Sequence, residues 1–264
     1  MQNSLFSMEK IGFIGCGHLA KALIYGLSNF KKYKIHGHDR NEANQNWLQA
    51  NGHQALSLED AIINSDVVII CVKPKDVISL CDDMKQHISL NKKVVSVAAG
   101  IKYRQIKDCL DDAKIFRAMP NIGSKDNLGI TSIFSREESS DIVELFKHLG
   151  EAFTVEDEDK IDLHTSLIGS GPAFFLEIIN EFEKRLDELL PDGETKRDIT
   201  VTFLSSLIAS IKNGENLEDI IDSIKSKGGT TEAGLNHLYS KDFTKVFSEA
   251  VDAAVNRAKE LSMD

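Results

Sequence analysis

Two glycine-bearing stretches carry the chemistry this sequence advertises. The first is Gly15-Cys16-Gly17-His18-Leu19-Ala20, which follows the apolar run Ile11-Gly12-Phe13-Ile14 and opens a helical pattern. Gly-x-Gly-x-x-Ala in that setting suits a diphosphate: the first glycine permits the tight turn, the second admits the ligand to the backbone, and the alanine lets helix and strand pack. About 20 residues on, Asp39 follows a second strand-like run, where a carboxylate can hold a ribose 2′-hydroxyl. Arg40 and Asn41 come next and suit a 2′-phosphate instead, so Asp39 favours NADH while Arg40 keeps NADPH open. The second stretch is Ser226-Lys227-Gly228-Gly229-Thr230-Thr231, just before Ala233, Leu235 and Leu238. The threonines are expected to cap the following helix, whose free N–H groups and positive dipole end would attract a small anion such as a carboxylate. An ordinary capped turn fits the same residues.

Three further segments stand where strands should end. Val72-Lys73-Pro74, Ala98-Ala99-Gly100 and Met119-Pro120-Asn121 finish apolar runs in compact or turn-forming residues. In an open parallel sheet the strand C-termini face the ligand crevice, so together they outline a cofactor cleft. Gly169-Ser170-Gly171-Pro172-Ala173 should break or kink a helix, or start one with proline in its first turn. His18, His164 and His237 form no Ser/His/Asp or Cys/His arrangement by spacing and are given surface or structural roles.

The elements that must position these groups alternate over the first 150 residues. Strands are expected at 11–14, 34–38, 67–72, 94–97 and 114–118, with helices at 19–27, 41–50 and 74–84. The β-branched run at 67–72 reads as a strand covered on both faces, and the alternation as a parallel doubly wound sheet. Residues 129–133 and 152–155 suit added edge strands around a helix at 137–149. After residue 155 only helical spacing remains, at 175–189, 199–211, 217–224, 231–239 and 243–261. The 199–211 helix adds a small-residue face of Ser205, Ser206, Ala209 and Ser210, compatible with a dimer interface or an intrachain core.

Composition narrows the function classes. Hydrophobic content is 42% and charged content 27%, as in ordinary globular proteins. The net charge of −10 argues against a dedicated nucleic-acid binder, and no apolar run suits a membrane helix. Residues 1–150 hold 19 basic and 17 acidic residues, whereas 151–264 hold 12 and 24, which places a domain boundary near 155. Cys16, Cys71, Cys81 and Cys109 lack C-x-x-C pairing, so reduced thiols, a cytoplasmic home and no metal site are expected.

These segments together resemble the pyrroline-5-carboxylate reductase family, and they run in the family's order over nearly the whole chain. The resemblance implies a Rossmann-type domain at 1–155 and an all-helical dimerisation and substrate domain at 156–264. It implies reduction of 1-pyrroline-5-carboxylate to L-proline, the last step of proline biosynthesis, by NADPH or NADH. The family's cofactor contacts map onto Gly15, Gly17, His18, Leu19, Ala20, Val72, Lys73, Pro74, Ala98, Ala99 and Gly100. Its substrate loop maps onto Ser226, Gly229, Thr230 and Thr231, with the Thr231 hydroxyl near the imine nitrogen as the catalytic group. The implied partners are a small carboxylate-bearing substrate and a second copy of the chain. Departures from the family's usual residues fall at His18-Leu19, Ile168, Phe174 and Lys227. The alternatives are a reductase of another cyclic imine or keto acid, and a non-catalytic nucleotide-binding sensor on the same fold.

Overall fold

The computed structural model describes residues 9–189, 193–214 and 216–261. The chain divides into two compact units. One runs to Gly169 and takes in the chain from Ala254 onward, and the other is Ser170–Ala253.

In the first unit, eight strands form one sheet in the order β3-β2-β1-β4-β5-β6-β7-β8. The strands are β1 (Glu9–Ile14), β2 (Tyr33–His38), β3 (Gln54–Ala55), β4 (Val67–Ile70), β5 (Lys93–Ser96), β6 (Lys114–Met119), β7 (Gly129–Phe134) and β8 (Gly150–Thr154). All neighbours pair in parallel except β6 with β7. The short link at 122–126 cannot cross over the sheet, so β7 returns antiparallel. Of the two expected edge strands only β8 is an edge, because β7 lies between β6 and β8. The expected strand at 67–72 stops at Ile70, since Cys71 and Val72 already form the rim of the cleft described below.

Helices α1 (His18–Ser28), α2 (Glu42–Ala50), α3 (Leu58–Ile63), α4 (Val77–Met84), α5 (Tyr103–Cys109), α6 (Ser140–Lys147) and α7 (Asp159–His164) belong to this unit. Alternation along the strands fills both faces of the sheet. Phe13, Leu23, Phe116 and Phe146 anchor one core, and Ile14, Val68, Met84 and Ile115 the other, all essentially inaccessible. Each such side chain contributes about 1.5–3 kcal/mol by leaving water.

From α7 the chain continues through a π-helical stretch, Thr165–Ser170, into α8 (Gly171–Leu186). The expected break at Gly169–Pro172 takes this form: Pro172 lies in the first turn of α8, lacks an N–H and would crowd the carbonyl four residues back, which a widened turn relieves. The second unit adds α9 (Gly193–Lys212), α10 (Leu217–Ile224), α11 (Thr230–Ser240) and the start of α12 (Phe243–Leu261). Phe182 of α8 stacks on Phe203 of α9 with ring centroids 4.8 Å apart. Among the described residues, no helix is long and apolar enough to cross a membrane.

Candidate functional site

Strand order reverses at β1, which pairs with β2 on one side and β4 on the other, and the glycine turn sits at that switch point. Gly15 has φ +86°, a conformation that favours glycine. A Cβ there would also stand 2.9 Å from the Val72 side chain and 3.0 Å from the Cys71 and Val72 backbone. The Gly15 N–H donates to the His38 carbonyl at 2.8 Å, and the Cys71 N–H to the Ile14 carbonyl at 2.8 Å. The turn is thereby tied to the ends of both neighbouring strands. Gly17 is the N-cap of α1, and no side chain caps that helix. A Cβ at Gly17 would meet no atom within 4 Å. An uncapped helix start beside open backbone fits a diphosphate.

This turn opens into a cleft of about 570 Å³, a volume in the range of cofactor sites. Of the expected cofactor residues the cleft brings together Gly15, Gly17, Asp39, Arg40, Val72 and Lys73. It does not bring in His18, Leu19, Ala20, Pro74, Ala98, Ala99, Gly100 or Asn121. His18 is exposed at the head of α1, Leu19 packs against the core, and Ala20 is buried where α1 meets β1. Pro74 opens a single 3₁₀ turn before α4. Ala98 is buried after β5 and Gly100 turns with φ +77°. The Asn121 carboxamide oxygen accepts the Ile130 N–H at 3.1 Å and so braces β6 against β7.

Charges of both signs surround the cleft: Arg40, Lys73 and Lys75 against Asp39, Asp76 and Asp83. Burial pushes the Cys16 thiol up to about 12, with the nearby Asp39 carboxylate adding to the rise. Burial also raises Cys71. Both stay protonated near neutral pH, which removes thiolate chemistry from the cleft. Among the described residues no group of three or more His, Cys, Asp or Glu could hold a metal ion.

In the second unit the Ser226–Thr231 stretch leads into α11, and its capping differs from expectation. The N-cap is Gly229, not a threonine, and no side chain caps the helix. Gly228 turns with φ +73°, and its N–H donates to the Glu232 carboxylate at 2.7 Å. A Cβ on Gly229 would collide with the Ser226 hydroxyl. The two glycines thus leave the first-turn N–H groups of Thr230 and Thr231 without a capping side chain. Ser226 and Thr230 are exposed and Thr231 is half-buried.

Against this geometry the comparisons with known proteins are specific. Residues 158–261 match the family model described as pyrroline-5-carboxylate reductase dimerisation, and residues 10–100 match NADP oxidoreductase, coenzyme F420-dependent. The chain is 31% identical to pyrroline-5-carboxylate reductase 1 of Bacillus subtilis, covering 98% of this chain and 92% of that protein. It belongs to the pyrroline-5-carboxylate reductase family. The Staphylococcus haemolyticus reductase is 30% identical over 96% of this chain and 98% of its own. Among solved structures, the pyrroline-5-carboxylate reductase of Coxiella burnetii superposes with a TM-score of 0.82 at 29% identity, covering 97% of this chain and 99% of that one. The Plasmodium falciparum pyrroline carboxylate reductase with NADP bound superposes with a TM-score of 0.87 over 97% of this chain and all of that one, at 22% identity.

Sequence reasoning missed several groups in this family member. Asn44, Lys75, Asp76 and Asp83 line the cleft. Their only local signal is position, Asn44 in the first turn of a helix after Asp39 and the others just past Val72-Lys73-Pro74. Arg117 is 1% exposed, with its guanidinium 2.8 Å from Glu158 and 3.8 Å from Asp162. Lys102 reaches Asp159 and Asp162 at 2.9 and 3.0 Å. The cluster fastens α7 to the end of the parallel strands, and nothing local in the sequence foretells it.

Proposed function

We propose that this protein reduces 1-pyrroline-5-carboxylate to L-proline with NAD(P)H, completing proline biosynthesis. The observation that carries the reading is an uncapped, glycine-opened helix start at each of two places, the α1 turn in its cleft and the Gly229 start of α11. One suits a diphosphate and the other a small carboxylate. Membership of the family supplies the chemistry that joins them.

Bound in the cleft, the nicotinamide coenzyme supplies a hydride to the imine carbon. The residues of the chain bind, orient and hold the proton. Gly15 and Gly17 would bring the backbone against the diphosphate, with Val72 and Lys73 across the same cleft, and the strand-end segments Pro74, Ala98-Ala99-Gly100 and Asn121 would hold the nicotinamide half. Residues 1–155 thus act as the dinucleotide-binding domain, and residues 156–264 as the dimerisation and substrate domain. The N–H groups at the start of α11, with Ser226 and Gly229 shaping the turn, hold the substrate carboxylate. The Thr231 hydroxyl hydrogen-bonds the imine nitrogen and keeps its proton aimed along the ring. A protonated imine accepts hydride readily, so positioning outweighs acid strength, and no buried strong acid is needed.

The helical domain makes the protein a homodimer or a larger homo-oligomer. Its apolar residues stay exposed in the single chain, among them Phe175, Ile208 and Leu217 at 58%, 52% and 56%. Four unpaired cysteines and the acidic surface suit the cytoplasm and a protein without nucleic-acid partners. The test is coenzyme consumption with pyrroline-5-carboxylate. Saturable turnover yielding proline is expected, whereas coenzyme binding without turnover would contradict the assignment.

A further inference from the structure

Asp39 is the acidic residue that a dinucleotide-binding turn offers to the ribose, but its oxygens are already engaged. One oxygen accepts the Cys16 N–H at 2.6 Å and the Asn44 side-chain amide at 2.9 Å. The other accepts the Asn41 N–H at 2.8 Å. The Gln45 amide holds the Asp39 carbonyl at 2.7 Å. Cys16 lies between the two glycines of the turn, 23 residues away in sequence, so the carboxylate locks the turn to the end of β2. Three N–H donors occupy three of the four acceptor positions of the carboxylate, so its principal partners are the turn and the start of α2.

Arg40 is placed oppositely. Its side chain is 84% exposed at the cleft, and among the described residues its one ion pair is a loose one, 3.9 Å to Asp76. Asp76 lies past β4 on the opposite rim and is itself a cleft residue. At that distance and exposure the pair contributes little, and a planar guanidinium prefers a phosphate it can grip with two N–H groups.

We propose that Asp39 is a positioning residue of the phosphate-binding turn, and that Arg40, in competition with Asp76 across the cleft, makes the choice of NADPH over NADH. This rests on the dinucleotide cleft of the proposed function. Asp39 works on the part of the coenzyme common to both forms, so it sets affinity without selectivity. Arg40 works on the 2′ position, so it sets selectivity. Asp76 holds Arg40 when no 2′-phosphate is present and must release it when one arrives.

The experiment is a coenzyme titration of the full-length enzyme, by direct binding and by steady-state kinetics. Wild type should bind NADPH at least tenfold more tightly than NADH, as expected for one charge-assisted contact. Asp39→Asn should raise KM for both coenzymes by a similar factor and leave their ratio intact. Far-UV circular dichroism and oligomeric state should match wild type, which a general loss of folded enzyme would not allow. Asp39→Glu, keeping the charge, should recover part of the loss. Arg40→Ala should move the ratio about tenfold toward NADH. Asp76→Asn should move it a few-fold toward NADPH. Asn44→Ala, which removes one Asp39 partner and keeps the charge, should mimic Asp39→Asn more weakly if that variant folds poorly. An Asp39→Asn enzyme that loses NADH selectively would make the carboxylate a ribose ligand and overturn the proposal, as would an Arg40→Ala enzyme with an unchanged ratio. A wild type that binds neither coenzyme would instead sink the dinucleotide cleft itself.

Discussion

Buried apolar side chains are distributed very unevenly between the two units. Among the described residues of Ser170–Ala253, only Leu186 and Val251 are buried apolar side chains, while the sheet unit holds two full cores. The reverse holds for exposure. Of 25 exposed large apolar side chains among the described residues, 17 lie in Ser170–Ala253. An unpartnered apolar surface of that extent marks an interaction face. The small-residue face of α9 adds to this. Its serine hydroxyls turn back to their own helix carbonyls, Ser205 to Val201 at 2.7 Å and Ser206 to Phe203 at 2.7 Å. Neighbouring Val201, Leu207 and Ile211 remain exposed in the single chain, although Phe203 of the same helix stacks on Phe182. The contrast teaches that the sheet unit carries its stability in its own chain, whereas the helical unit leaves a broad apolar surface uncovered, in keeping with its match to a dimerisation family model.

Substitutions at matched positions can break that contrast. Phe146→Ala removes a fully buried ring from the sheet unit and should cost about 3–5 kcal/mol, independent of protein concentration in denaturant titrations. Ile208→Asp places a charge on a face that is 52% exposed in one chain. It should cost about 2–4 kcal/mol, the size of an interface hot spot, and shift sedimentation toward monomer with a concentration-dependent Tm. Leu90→Asp, at a side chain 73% exposed in the sheet unit, should stay within about 0.5 kcal/mol. Equal effects of the two aspartates would erase the distinction.

Chemistry can be separated from stability at Thr231. Thr231→Ala should lower kcat/KM by about tenfold to a hundredfold, the range of a lost hydrogen bond, with Tm and oligomeric state intact. Unchanged kinetics would remove Thr231 from the reaction.

The smallest effect concerns pH. Burial lowers the pKa of His36, which sits in β2 with its Nε2 2.9 Å from the Ser65 hydroxyl. The native state therefore keeps His36 neutral where the unfolded chain takes up a proton. Stability conferred by this group is complete above the ordinary histidine range and falls as pH drops through it, by at most about 1.4 kcal/mol per pH unit. Melting curves between neutral and mildly acid pH should show the slope, and His36→Gln should flatten it.

Much of this was legible in the sequence, for physical reasons that also explain the gaps. β4 and the apolar end of β1 announce themselves because a strand covered on both faces is continuously apolar. The Gly15–Ala20 turn is legible because its chemistry is local. Helices α3 and α5 are missed because each has under two turns of periodicity, although Ser57 caps α3 by accepting the Asp60 N–H at 3.0 Å, and Gln105 reaches back to the Lys102 N–H at 2.8 Å before α5. Threonine capping at α11 is misread because Thr230 and Thr231 fall one and two positions too late. The Asp39 clamp and the Arg117 cluster are invisible because their partners lie 23 and 41 residues away. A charged residue within a strand run gives no sign of whether its pair exists.

Delivery of a hydride from a bound nicotinamide to the carbon of a cyclic imine is the step on which the proposed function stands. It is tested most directly with NADPH carrying deuterium on the transferred face and pyrroline-5-carboxylate as acceptor, with the product analysed by mass spectrometry and NMR. The expected product is L-proline bearing the deuterium on the ring carbon that had been doubly bonded to nitrogen. Proline without the label, or oxidised coenzyme without proline, would contradict it.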